Sequence, residues 1–374
     1  MSQVNTNSIY DASGGSAAKL YGVSMRNGGT AWVNRIINGD MRIDQRNAGA
    51  SVATSSGSSV FTVDRWTAGY TQTSKFTAQQ NAGSVTPPAS FTNYLGATSS
   101  SAYSVLTGDA FWLNQRVEGL NVADLGWGTA NAQTVTVSFW VRSSLTGTFG
   151  GSVFNSAPAN RSYPFTYTIS AANTWELKTI TIPGDTTGTW LTTTGTGLQI
   201  NFALGAGSTF SGTAGAWAGS AFYTATGATS VVGTSGATFY ITGVQLEAGT
   251  VASPFERRDY GRELLMAQRY YTRFFGDGAG QSGIATGFQT STTAAVFNLQ
   301  LPAQMRSEPT ATAASLTSSD QVSFDTPATL SSVNASQQSA NVSFATAAVG
   351  VAFRPVTLFT QGSTSGFLAF SSEL

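Results

Sequence analysis

The chain has 374 residues, no cysteine, no histidine, and 18 basic against 18 acidic residues for a formal net charge of zero. That length supports two cored domains, while the absent Cys and His exclude disulfides, thiolate metal sites, cysteine nucleophiles and His-based triads. Only 10% of residues are charged and arginine dominates the basic ones, so nucleic acid or an anionic membrane finds no electrostatic footprint. The arginine bias favours planar contacts at interfaces.

In chain order, residues 1–31 are polar with scattered Gly and Ser, an extended arm that is either docked on a partner or frayed. The opening lacks a signal-peptide pattern, and no run approaches the length of a membrane helix. From 34 onward the pattern is β. In MRIDQR, Met41 and Ile43 take one parity and Arg42, Asp44 and Arg46 the other, which predicts a strand. Asp40 and Asp44 could form a carboxylate pair, but Arg35, Arg42 and Arg46 make an ion-pair ladder the better reading. Residues 60–65 alternate likewise.

The clearest strand is TVTVSFWVR, with Val135, Val137, Phe139 and Val141 on one face. FTYTI groups Phe165, Tyr167 and Ile169, and LQINFAL groups Leu198, Ile200, Phe202 and Leu204. In FYITGVQLE the apolar parity slips between Ile241 and Val244, so a β-bulge at Gly243 is predicted to keep one buried face. PGDTTG reads as a turn in which Asp185 bonds its own backbone, since one carboxylate falls far short of a calcium site. Short strands with Gly, Ser and Thr loops predict an antiparallel sandwich over 32–255.

Aromatic residues on the predicted loops are the candidate ligand contacts: Trp127, Tyr163, Trp190, Trp217 and Tyr223. Rings among small residues can stack on the apolar faces of sugars; equally, they can plug the sandwich end or a subunit interface. The loop at 205–237 is long enough to suggest a function.

Residues 256–273 hold eight charges, from Glu256 to Arg273, which marks a joint between domains or a subunit contact. Tyr260, Leu264, Ala267 and Tyr271 are spaced 4, 3 and 4, one helical stripe over 256–268. A helix this short must pack on something: copies of itself about a threefold axis, or its own sandwich. From 269 the chain is β again. AVFNLQLP puts Phe297, Leu299 and Leu301 on one face, VSF recurs at 322–324 and 342–344 with VAF at 351–353, and TSGFLAFSSEL reads as a last strand with a polar tail. The fold class expected is thus all-β: an antiparallel jelly-roll sandwich, a short linking helix and strand at 256–275, and a smaller β domain at 276–374.

Three segments carry a family resemblance: NRIINGDMRIDQRNAG at 34–49 followed by FTVDRW, ITGVQLEAGTVASPFERRDYGRELLMAQRYY, and PAQMRSEPTAT at 302–312. In this order they resemble phage tail-fibre and related virion appendage proteins, and the sandwich resembles a galactose-binding-like jelly roll. The resemblance implies a homotrimer with Tyr260, Leu264, Ala267 and Tyr271 at its interface, and attachment to other virion proteins through 1–31. It also implies a location on the virion after assembly in the host cytoplasm, and a distal C-terminal domain that recognises a host surface, with glycan as the expected ligand. A head, collar or tail decoration without a receptor is the alternative. No P-loop, GxSxG elbow, zinc motif or EF-hand is present, so no cofactor or metal and no enzyme is expected; two-carboxylate glycan cleavage is the one chemistry the composition leaves open.

Overall fold

The computed structural model describes residues 33–156, 158–276, 282–320, 324–346, 351–360 and 365–374, with a two-residue ladder pairing Lys19–Leu20 with Val23–Ser24. The rest of the expected N-terminal arm, 1–31, and most of the 322–324 unit lie outside the described residues.

Alternation of apolar and polar side chains builds two six-stranded antiparallel sheets that bury their apolar faces against each other. One runs Ser162–Ile169, Gly147–Phe154, Thr196–Ala206, Ala110–Glu118, Trp66–Tyr70, Ser59–Phe61. The other runs Glu176–Ile182, Val135–Ser143, Thr238–Ala248, Leu95–Ser99, Phe76–Gln80, Val52–Ala53. Val135, Val137, Phe139 and Val141 are fully buried in the core between them, with Leu198, Ile200, Phe202 and Leu204 facing from the opposite sheet. The bulge at Gly243 is present. The pairing with Val135–Ser143 shifts register between Thr242 and Gln245, Gly243 has φ of 60°, and Ile241, Val244 and Leu246 are all buried.

The N-terminal edge departs from expectation. Residues 41–46 are not a strand, although Met41 and Ile43 are buried as their parity requires. The Asn38 side chain takes the place of a neighbouring strand: it accepts from Ile43 N at 2.9 Å and donates to Ile43 O at 2.8 Å and Asp64 O at 3.0 Å. The run at 60–65 likewise breaks after Phe61 into a turn, with Asp64 and Arg65 buried.

Further along, a nine-residue helix, Tyr260–Gln268, is N-capped by Asp259, which accepts from Arg262 N at 2.9 Å. It starts later than expected: 256–258 forms no helix and Asp259 is extended. Six strands then close a barrel in the order Gly283–Ser291, Ala294–Gln300, Ser339–Ala345, Phe324–Ala335, Leu316–Ser319, Pro355–Phe359. Phe297, Leu299, Val342, Phe344 and Leu358 fill it. A three-stranded sheet, Tyr271–Phe275, Phe367–Ser371, Thr310–Ala314, lies alongside. The VAF segment is a turn rather than a strand, with Phe353 at φ of 69° and 82% exposed.

Candidate functional site

Four of the five predicted ligand-contact rings come together at one end of the sandwich, although they lie far apart in the chain. Trp127 is 4.7 Å from Trp190 and 5.4 Å from Trp217, Trp190 and Trp217 are 5.6 Å apart, and Tyr163 is 5.3 Å from Trp217, all edge-to-face. Tyr163 sits on the strand Ser162–Ile169, not on a loop as its sequence context suggested. Its strand pairs with the Trp217 loop through Ala218 N to Ser162 O at 2.8 Å.

The indole N–H groups are spent on backbone: Trp127 on Gln133 O, Trp190 on Thr187 O and Trp217 on Pro183 O, at 2.8, 3.1 and 2.9 Å. Trp127 and Tyr163 are buried, whereas Trp190 and Trp217 are half-buried and reach the surface. Edge-to-face packing orders the rings, so this end presents a rigid apolar rim.

Asp185 holds the rim together. It accepts from Thr187 N at 3.1 Å, as the turn reading required, and also takes a bidentate pair from Arg161 at 2.7 and 2.8 Å. Its carbonyl accepts from Gly128 N at 2.7 Å, next to Trp127. Burial pushes the Asp185 carboxyl up, but the Arg161 and Thr187 bonds outweigh it and hold the pKa below its ordinary value.

Tyr223 lies elsewhere. It stacks on Trp112 at 4.1 Å and packs against Phe154 at 5.3 Å and Phe210 at 5.6 Å. Trp112 and Phe154 flank a cross-strand row on the outer face of their sheet: Thr67, Asn114, Asn201 and Ser152, which are register partners in turn. Asn201 donates to Ser152 Oγ at 3.1 Å and accepts from Gln199 at 2.7 Å. Asn114, Asn201 and Ser152 are buried, and hydrogen bonding within the row offsets part of that cost. The sequence reading passed over Trp112. Its signal was parity: Phe111 and Leu113 point to the core, so Trp112, Asn114 and Arg116 take the other face.

The helical stripe is divided by the chain's own packing. Ala267 is fully buried against Ile37, Ile43 and Tyr270, Leu264 is half-buried on the same cluster, and Tyr271 is buried with Arg46 stacked 3.5 Å from its ring centroid. Ala267 and Tyr271 are therefore taken up inside the chain; Tyr260, at 53% exposure, and half-buried Leu264 reach a cleft of about 700 Å³ that Arg42, Arg46, Arg273 and Phe275 also line.

The charged stretch is engaged with distant parts of the same chain. Arg269 makes a bidentate pair with Glu118 at 2.9 and 2.7 Å, and Tyr270 donates to the same carboxylate at 2.6 Å. Arg258 bonds Glu263 at 3.1 Å and Ile36 O at 3.1 Å. The expected ladder around Asp40 is instead dispersed: Arg42 pairs with Asp40 at 2.5 Å, Arg35 with Asp124 at 2.5 Å, and Arg46 with Glu373 at 3.2 Å. Asp44 accepts from Asn47 N and Gly49 N at 2.9 and 2.8 Å. The polar tail is no free end: Glu373 also pairs with buried Arg65, and Arg306 donates to Ser372 O and Glu373 O at 2.7 and 2.9 Å.

Among the described residues no three acidic side chains cluster as a metal site, and no helix is long and apolar enough to cross a membrane.

No family model and no curated protein matches this chain. Several solved structures do. The enzymatically active domain of bacteriophage CBA120 tailspike protein 4 is 14% identical with a TM-score of 0.29, covering 50% of this chain and 20% of that one. The family 11 carbohydrate-binding module of a Clostridium thermocellum cellulosomal cellulase is 10% identical with a TM-score of 0.28, covering 56% of this chain and 100% of the module. A xylan-binding domain from Paenibacillus barcinonensis is 11% identical with a TM-score of 0.26, covering 55% and 99%. This chain thus spans about a fifth of the tailspike chain.

Proposed function

We propose that this chain is a virion appendage protein, a fibre or spike, that binds a neutral glycan on a host surface without cleaving it. The observation that carries the reading is the rim of Trp190 and Trp217, two half-buried rings held rigidly by Trp127, Tyr163 and the Arg161–Asp185 pair. Fixed rings lose little freedom when a sugar stacks on them. The virion setting rests on the three motif segments named above. In this reading the particle is gripped through 1–31, and three copies associate with Tyr260 and Leu264 at the contact, so that weak sites add up by avidity.

Absence of catalysis is supported by the state of the acids. Among the described side chains, every carboxylate but that of Glu308 is hydrogen-bonded or ion-paired within the chain, Asp185, Glu118 and Glu373 among them. A glycosidase needs two carboxyls facing a shared substrate.

Trp190→Ala should weaken binding to a polysaccharide from the host surface by roughly tenfold, read by biolayer interferometry with near-UV circular dichroism confirming the fold. Unchanged affinity would remove the rim from the reading. One observation favours the alternative of a decoration protein with no receptor: every indole N–H of the rim is already satisfied by backbone. That alternative gains if intact virions lacking this protein adsorb normally to cells.

A further inference from the structure

The outer face of the C-terminal barrel carries a row of amides. Asn298, Asn341 and Asn334 sit on three adjacent strands as successive register partners. One residue in three strands, at one height, makes a line across the sheet with side chains about 5 Å apart. Asn298 and Asn334 are exposed and Asn341 is half-buried between them.

The row is oriented before any ligand arrives. Asn341 donates through Nδ2 to Asn298 Oδ1 at 2.8 Å. That bond uses the Asn298 carbonyl oxygen and an Asn341 N–H, and does not consume the Asn298 amide N–H groups or the Asn341 carbonyl oxygen, which form an alternating donor and acceptor. Gln300, Ser336 and Ser339 extend the polar surface around the row and complete a groove of about 440 Å³. Among the described residues no charged side chain lines it. A second groove of about 420 Å³ opens on the other side of the strand Ala294–Gln300 and shares Asn298 and Gln300 with the first.

Side-chain amides with no charge suit a ligand that is itself uncharged and offers paired donors and acceptors at short, regular spacing. Vicinal hydroxyls of a sugar ring do this. An anionic sugar would find no cation here, and a hydrophobic partner would leave the exposed amides unpaired at a cost of about 1–3 kcal/mol each. We infer that the Asn298–Asn341–Asn334 row is a binding site for a neutral oligosaccharide, separate from the tryptophan rim at the sandwich end. The inference rests on the glycan-binding reading above and assigns it a second subsite on the other domain.

The test uses the full chain and a panel of immobilised polysaccharides, neutral (dextran, galactan, mannan) and anionic (polysialic acid, alginate). Three proteins are compared: wild type, Asn298→Ala/Asn334→Ala/Asn341→Ala, and Trp190→Ala. Because the three asparagines lie on the barrel's outer face, the triple variant should keep the wild-type melting temperature; Asn334→Arg, which fills the groove without removing the pair, is the check if it does not. The expected result is binding to a neutral polymer that the triple variant and Asn334→Arg weaken by about tenfold or more, with no anionic polymer bound at this site. Binding that falls with Trp190→Ala but is untouched by the asparagine variants would overturn the inference and leave the glycan reading standing. Failure of wild type to bind any polymer on the panel would overturn both.

Discussion

Single residues show how this chain handles buried charge. Asp64 is fully buried, and burial raises its carboxyl from 3.8 to about 6 against the opposing hydrogen bonds from Gln45 N and Nε2. A raised carboxyl pKa means that the folded state binds its proton more tightly than the unfolded chain does. This group's contribution is therefore fully present below pH 3.8 and is lost as pH rises through about 6, a difference of about 3 kcal/mol. Asp185, with its pKa lowered, behaves oppositely: its contribution is present above pH 3.8 and is lost as pH falls below that value. Asp64→Asn should flatten the fall in urea midpoint between pH 4 and pH 6; a profile identical to wild type would mean that the carboxyl titrates normally. Gly243 is the other residue-scale case. A Cβ there would meet Phe91 at 2.6 Å, and φ of 60° is strained for any side chain. Gly243→Ala is expected to cost about 2 kcal/mol or more, measured by denaturant unfolding.

At the scale of elements, periodicity located the long strands such as Val135–Ser143, Thr196–Ala206 and Thr238–Ala248 but could not say which partner a helix face meets. The stripe of Tyr260, Leu264, Ala267 and Tyr271 was equally consistent with self-association and with packing on the sandwich. Ala267 and Tyr271 are buried on the chain's own residues, while Leu265, one position from the stripe, is 50% exposed. The two leucines therefore separate two effects. Leu264→Arg should destabilise the monomer by about 2 kcal/mol by forcing a charge against Ile37 and Ile43. Leu265→Arg should leave stability within about 0.5 kcal/mol. Sedimentation of the Leu265→Arg variant then reports on association alone: a trimer unaffected by it would place the contact away from that edge of the helix.

For the whole molecule, the engagement of Arg65 and Arg116 with the last residues is the feature that sequence order concealed. Arg65, from the turn between Ser59–Phe61 and Trp66–Tyr70, pairs with Glu373 beside the last strand, bonds Arg116 O at 2.7 Å and lies 3.6 Å from the Tyr270 ring centroid. Arg116 in turn donates to Leu374 O at 2.6 Å. The final residues thus lock the barrel side to the sandwich through the guanidinium groups of buried Arg65 and half-buried Arg116. Removing one partner of such a pair leaves the other charge buried and uncompensated. Glu373→Ala should cost about 3–5 kcal/mol, with Glu373→Gln recovering part of it, as read by calorimetry. An unchanged transition for Glu373→Ala would show that Arg65 finds water instead.

The all-β class, the buried parity of Val135–Val141 and Leu198–Leu204, the bulge at Gly243 and the turn at Asp185 were legible in the residues themselves. Each depends on local chemistry: a two-residue period, a glycine where φ must be positive, a carboxylate within reach of its own backbone. The strand expected at 41–46 did not form, because its hydrogen bonds go to the side chains of Asn38, Asp64 and Gln80 and to Asp64 N rather than to a neighbouring ladder. The gathering of Trp127, Tyr163, Trp190 and Trp217, the isolation of Tyr223 over Trp112, and the engagement of Glu373 were decided by tertiary structure alone. Residues separated by tens to hundreds of positions meet only when two sheets are stacked and a barrel is set against them, and nothing in local sequence records which loop ends that stacking will bring together.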